Sequence, residues 1–141
     1  MWGLVSSGNH LSDKARSRSV DLHEYVHNVA GVRSLTRVAL SGLSADALED
    51  ILLVVTELVS NAFDHGESPF WMWLYLSPAP CVVRCEVNDT GPDVPVVGKS
   101  RLSDFRGRGM VLVDQLATRW GVTHRDGYKT VWAEIECEWR A

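Results

Sequence analysis

The stretch from Glu57 to Gly66, ELVSNAFDHG, decides how this chain is read. On a helix, Glu57, Asn61 and His65 recur at every fourth residue and share one face. A carboxylate, a carboxamide and an imidazole then line up at the end of an otherwise apolar helix. Carboxylate and carboxamide oxygens are hard donors, suited to a magnesium ion or to taking a proton from a hydroxyl. A helix built only for packing has no use for that row. Further along stand two companions, an Asp-x-Gly turn at Asp89 and a Gly-x-Gly helix start at Gly107.

The helix that carries the row is well marked. Ser44 reads as its N-cap, and Asp46 places an acid in the first turn, where the helix dipole favours it. From Ala45 to about Asp64 the apolar stripe is Leu48, Ile51, Leu52, Val55, Leu58, Val59 and Ala62, and Gly66 is a natural end. Upstream, Val29, Val32, Leu35, Val38 and Ala39 predict a helix between Asn28 and Leu40, closed by Gly42. The segment SVDLHEYV alternates and predicts a short edge strand. Residues 1–18 are rich in Ser, Asn, Gly and charge and read as a flexible tail, with the basic run KARSR solvated.

Downstream, FWMWLYL (70–76) is apolar on both faces, which predicts a central strand or one covered on both sides. After the turn SPAP, the run CVVRCEVND (81–89) alternates. Cys81, Val83, Cys85 and Val87 face one way, and Asp89 continues that inward row. An acid at the end of an inward row is expensive without a partner, and a ligand donor would serve as one. Residues 90–106 show no element, and a loop of that length in a compact domain is usually functional or mobile. Gly107 to Ala117 reads as a helix with Met110 and Val113 inward. Residues 120–123 and 129–138 read as a hairpin around Asp126-Gly127.

At 141 residues, 45% of them hydrophobic, the chain suits one domain with one core, residues 19–141. A net charge of −4 argues against nucleic acid as the main partner. No apolar run reaches the roughly 20 residues of a membrane helix. The N-terminus lacks the basic start and apolar stretch of a secretory signal, so a cytoplasmic location is expected. Three cysteines cannot all pair within one chain, and no zinc-type CxxC is present. Cys81, Cys85 and Cys137 are expected as buried thiols in a reducing compartment.

Taken together, these motifs resemble the GHKL ATP-binding family, and most nearly its small single-domain branch, the anti-sigma-factor serine kinases of bacteria. The resemblance covers roughly residues 20–137, including GRGMVLVDQLATRWGV and GYKTVWAEIE. It implies an α+β, two-layer sandwich (the Bergerat ATP-binding fold), with a mixed, mostly antiparallel sheet covered on one face by about three helices. It also implies ATP and Mg²⁺ as cofactors. Asn61 matches the Mg²⁺ ligand and Glu57 the general base. Asp64 and His65 lie near the phosphates, although His65 would equally cap its helix. Asp89 matches the adenine reader, accepting from the exocyclic amine, with Gly91 letting the backbone approach the ring. Thr130 matches a residue that supports the Asp and adenine, although a Thr in a strand needs no such role. Gly107, Arg108 and Gly109, followed by Met110, match the phosphate-cradling turn, with Arg106 or Arg108 adding charge. Two departures, Asp93 and Arg106 where members often carry Gly, stiffen or charge the lid.

The function implied is transfer of the ATP γ-phosphate to a Ser or Thr of a partner antagonist protein, controlling sigma-factor availability. The partners implied are a sigma factor, its antagonist, or both, with no direct nucleic acid and no membrane. A homodimer through the 70–76 strand or the tryptophans stays open, because relatives often dimerise. Two other readings stand beside this one. One is an ATP-dependent partner-binding module without useful phosphotransfer. The other is a stand-alone histidine-kinase catalytic domain, which would need its phosphoacceptor on another chain because fewer than thirty residues precede the first helix.

Overall fold

The computed structural model describes residues 3–5, 15–92, 94 and 104–141. At residues 3–5, 15 and 104–109 the description is of the backbone path alone. In chain order the elements are β1 (Gly3–Val5), β2 (Ala15–Asp21), a single 3-10 turn (Leu22–Tyr25), α1 (Val29–Ala39) and α2 (Ala45–His65). These are followed by β3 (Trp71–Pro78), β4 (Cys81–Asp89), α3 (Asp104–Leu116), β5 (Arg119–Arg125) and β6 (Tyr128–Glu136). Among the described residues the strands form one sheet in the order β1-β2-β3-β4-β6-β5, every pair antiparallel. This is the expected α+β sandwich, with the sheet antiparallel throughout rather than mixed.

Helix α2 is the centre of the helical layer and packs on α1, α3, β4 and β6. Its start follows the expected chemistry. The Ser44 side chain accepts from the Ala47 amide at 3.2 Å, and Asp46 stands in the first turn. Its inward stripe is Ala47, Ile51, Leu52, Val54, Val55, Leu58, Val59 and Ala62. Leu48, assigned to the stripe from sequence, is only half-buried, and Val54 takes a full place in it. The stripe meets an inward sheet face made of Met72, Leu74 and Leu76 from β3, Val83, Cys85 and Val87 from β4, and Val131, Ala133 and Ile135 from β6. Helix α1 is capped by Asn28, whose side chain accepts from the Gly31 amide at 3.0 Å. The closing hairpin turns at Asp126-Gly127, where Gly127 supplies the positive φ of 86° that the tight turn needs.

Three sequence expectations change. The tail reading of residues 1–18 does not hold for 3–5 and 15–18, which lie in β1 and β2. There Arg16 pairs with Leu76, and Ser17 is buried beside Tyr75. The expected strand over 19–26 stops at Asp21, whose side chain accepts from the His23 amide at 2.9 Å and starts the 3-10 turn. β2 is also not the edge, since β1 lies outside it. The strand at 71–78 is central, as read, but its second face is not sealed. Trp71 is exposed, and Trp73 and Tyr75 are half-buried and stack on each other at 5.8 Å. The same face continues as polar chemistry. Arg84 pairs with Glu86 and Glu134 at 2.7 Å each and lies 4.2 Å over the Trp132 ring.

The cysteines are the other correction. Cys81 and Cys137 form a disulfide, and Cys85 is the free thiol, buried, with burial pushing its pKa up. The β4–β6 register pairs Val82 with Glu136, which sets Cys81 beside Cys137 at a Cα–Cα distance of 5.1 Å, within the span a disulfide bridges. Beyond the disulfide the chain end crosses the turn between α1 and α2. Glu138 O accepts from the Ser44 amide at 2.8 Å, and Gly42 O from the Arg140 amide at 2.9 Å. The Trp139 indole N–H donates to Pro78 O at 3.0 Å.

Leu58→Ala, at 1% exposure on the inward face of α2, is expected to lower unfolding free energy by about 2–5 kcal/mol. Val38→Ala, at 72% exposure on α1, is expected to stay within about 0.5 kcal/mol. Urea denaturation measures both, and equal losses at the two positions would contradict this orientation of the helices.

Candidate functional site

The second half of α2 presents Glu57 and Asn61 half-buried and Asp64 exposed, with His65 at the last helical position. This flank is separate from the Leu58, Val59 and Ala62 stripe, so the helix packs with one side and offers oxygen donors with the other. Burial raises the Glu57 pKa, and the neighbouring Asp64 carboxylate raises it further. A carboxylate held less acidic than usual is a better proton acceptor toward a hydroxyl at neutral pH. Asn61 is oriented by α3: its amide nitrogen donates to the sulfur of buried Met110 at 3.1 Å. With the nitrogen committed to the thioether, the amide oxygen is the end directed away from it.

Asp89 ends the inward row of β4, and at 2% exposure it is deeply enclosed. Its Oδ1 accepts from the Gly91 amide at 2.7 Å, the Lys129 ammonium at 2.8 Å and the Glu67 amide at 3.4 Å. Lys129 also donates to Gly91 O at 2.7 Å. Gly66, the C-cap of α2, lies flat against this carboxylate. A Cβ there would come within 2.5 Å of Asp89 Cγ and 2.7 Å of Ala62 O. Thr90 completes the junction, its hydroxyl donating to Ser68 O at 2.8 Å. The end of the helix that bears Asn61 and the end of the strand that bears Asp89 are thus stitched together.

Two site expectations are corrected. Thr130 does not support Asp89. It pairs in register with Asn88, and its hydroxyl donates to Asn88 Oδ1 at 2.7 Å on the opposite face of the sheet. The partner of Asp89 is Lys129, one residue earlier, which sequence reading missed. The signal was present: counting back by twos from Ile135, Ala133 and Val131 reaches Lys129, and a one-residue slip changes faces. The Gly-x-Gly motif does not precede its helix either. α3 begins at Asp104, so Gly107, Arg108, Gly109 and Met110 all lie inside it. Gly107 is the fourth helical residue, at the end of the first turn. The expected side-chain roles of Arg106 and Arg108, and the lid residue Asp93, lie outside the described residues.

The donor set fits a magnesium ion that arrives with nucleotide phosphates, since magnesium takes oxygen ligands and needs few from the protein. Among the described residues no group of three or more His, Cys, Asp or Glu forms a metal cage of its own. No helix among them is long and apolar enough to cross a membrane.

An antiparallel sheet under three helices, with a Glu and an Asn on a helix whose end packs against an enclosed Asp at a strand end, has the architecture of a nucleotide-binding ATPase class. Residues 23–135 match the histidine kinase-like ATPase domain family, and the chain belongs to that family, of the GHKL type. A Streptomyces coelicolor protein, "Uncharacterized protein SCO4941", is 34% identical over 84 residues, spanning 57% of this chain and 79% of that protein. Among solved structures, the RsbU and RsbW domains of Rv1364c from Mycobacterium tuberculosis superpose with a TM-score of 0.66 at 20% identity, over 89% of this chain. This chain spans only 33% of that structure's length, and the likeness is one of fold. A blue-light activated histidine kinase domain from Erythrobacter litoralis gives a TM-score of 0.48 at 21% identity, over 83% of this chain and 61% of that one.

Gly66→Ala is expected to destabilise by about 1–3 kcal/mol, because neither the Ala62 carbonyl nor the ion-paired Asp89 has room to withdraw; chemical denaturation measures it. Glu57 provides a pH test. Its folded pKa is raised, so its contribution is fully present below the unfolded pKa and is lost as pH rises through the folded one. Ionised Glu57 therefore costs stability at neutral pH. Glu57→Gln is expected to melt a few degrees higher than the parent at pH 7 and level with it at pH 3. A lower melting point at pH 7 would mean that the carboxylate is favourably held.

Proposed function

We propose that this chain is an ATP-binding regulatory protein of the anti-sigma-factor kinase type, passing the γ-phosphate of Mg-ATP to a Ser or Thr of a partner antagonist protein. The observation that carries the proposal is that one helix, α2, bears the Glu57–Asn61 flank in its second half and ends at Gly66 and Glu67 against the enclosed carboxylate of Asp89. Family membership and the fold shared with an RsbW-containing structure support the same reading.

In this reading ATP supplies the phosphoryl group and Mg²⁺ the neutralising charge, and the protein positions them. Asn61 offers its amide oxygen to the ion, with its orientation set by Met110. Glu57 takes the proton of the attacking hydroxyl, a role its raised pKa favours. Asp89 accepts from the base. The first turn of α3 directs N–H groups toward phosphate.

The second reading, a partner-binding module ordered by nucleotide without useful transfer, is favoured by one observation. Asp89 is satisfied within the protein by Lys129 and two backbone amides, so its charge does not by itself require a ligand.

Calorimetric titration with ATP, with and without Mg²⁺ and with GTP as the control, tests the shared part of both readings. Magnesium-dependent, adenine-selective binding is expected, and Asn61→Ala is expected to remove the magnesium dependence. Glu57→Ala separates the readings. It should slow transfer from labelled ATP to a serine-bearing antagonist by about 10²–10⁴-fold while leaving ATP affinity in place. Transfer that survives this substitution would remove Glu57 as the base.

A further inference from the structure

The Cys81–Cys137 disulfide joins two strands that are already paired. Eight register pairs, from Val82–Glu136 to Asp89–Lys129, hold β4 to β6. The hydrogen bonding runs one step further without the bond, since the Cys137 amide donates to Cys81 O at 3.0 Å. The disulfide is therefore not what sets strand against strand. It acts where the ladder stops, and the residues it governs are those that follow. Residues 138–140 lie across the turn that enters α2. There Leu43 and Trp139 form a one-rung antiparallel bridge, with the Ser44 amide donating to Glu138 O and the Arg140 amide to Gly42 O. The Trp139 ring lies over Gly42, where a Cβ would come within 3.3 Å of it, and its indole N–H donates to Pro78 O at 3.0 Å. Glu138, Trp139 and Arg140 are nonetheless all exposed. A segment held by exposed hydrogen bonds, with no side chain in the core, belongs to the low-stability end of a structure.

Cys81 and Cys137 are half-buried at the ends of their strands, whereas Cys85 is buried. A thiolate reductant reaches the bond and not the third thiol. Cys85 lies four residues along the strand from Cys81, about 13 Å away, so it does not exchange into the bond in the folded chain. We propose that the Cys81–Cys137 bond is a redox-sensitive latch, which holds residues 138–140 over the turn into α2 when oxidised and releases them when reduced. An external dithiol supplies the two electrons. One of its thiolates attacks a sulfur of the bond, giving a mixed disulfide and a cysteine thiolate that takes up a proton. Its second thiolate displaces the other cysteine, which is protonated in turn, and the reductant leaves as a disulfide. The ladder keeps the two Cα atoms 5.1 Å apart, so an external disulfide closes the latch again by the reverse steps. Release uncovers Gly42 O and the Ser44 amide, and leaves the start of α2 to the Ser44 side-chain cap alone. The helix whose start is freed is the one that bears Glu57 and Asn61.

The test is amide hydrogen exchange of the whole wild-type protein by NMR, oxidised and then treated with dithiothreitol under native conditions. Alkylation and mass measurement count the thiols. Two labelled cysteines, Cys81 and Cys137, are expected after reduction, with Cys85 unlabelled. In the oxidised protein the Ser44 and Arg140 amides are expected to exchange at least tenfold more slowly than in an unstructured peptide. In the reduced protein both are expected to lose that protection, while the ladder amides of β4 and β6 keep theirs. Cys137→Ser is expected to show the released pattern with and without dithiothreitol. A bond that native dithiothreitol does not reduce overturns the proposal. So does protection of Ser44 and Arg140 that is missing in the oxidised protein or survives in the reduced one. Loss of the ladder's protection along with theirs also overturns it, and makes the disulfide a staple of the whole fold. The wild-type comparison decides the matter even where Cys137→Ser does not fold.

Discussion

The carboxylate of Asp89 is the constraint around which the rest of the chain is arranged. It ends an otherwise apolar row and lies at 2% exposure, so it needs partners inside the protein. Those partners come from three places: the Glu67 amide just past α2, the Gly91 amide beyond β4, and the Lys129 ammonium on β6. Satisfying one acid thus draws the end of the long helix onto the ends of two central strands. The approach is close enough that position 66 has no room for a side chain. The group that would read a base is therefore also a group that holds the two layers together.

Helix α2 connects this junction to the remainder of the molecule. Its start is held at the far end of the sheet, where Glu138 accepts from the Ser44 amide and the Cys81–Cys137 disulfide ties β4 to the chain end. Its finish is held by Asp89. Between these anchors one face packs on the sheet and the flank carries Glu57 and Asn61. Functional groups on a long helix clamped at both ends are placed more firmly than the same groups on a loop. Met110 refines the placement, since a thioether accepting from Asn61 distinguishes the two ends of a nearly symmetric amide.

The structural likeness to an RsbW-containing structure at 20% identity shows how little sequence the architecture requires. Function has to be argued from the site on such a fold rather than from the fold itself. Here the candidate site comprises Glu57 and Asn61 on α2 and Asp89 at the end of β4, with Lys129 of β6 paired to the Asp. The opposite face of the sheet is built differently. Its stacked Trp73 and Tyr75 and its Arg84–Glu86–Glu134 pairs are half-buried and belong to no part of the site.

Local chemistry made much of this legible. The caps at Asn28 and Ser44, the helical spacing of 45–65 and the alternation of 81–89 each act within a few residues, and each predicted element formed close to its expected bounds. The row Glu57, Asn61, His65 was readable for the same reason, as was the inward direction of Asp89. Tertiary structure decided what depends on strands meeting across the sheet. Polar residues 15–18 became β2 because β1 and β3 flank them. Cys81 met Cys137 because β4 and β6 pair in one register, across a separation of 56 residues. Lys129, and not Thr130, reached Asp89 because strand side chains alternate, and only the pairing shows which of two neighbours faces the helices. Periodicity is a property of the chain, whereas register is a property of two strands together.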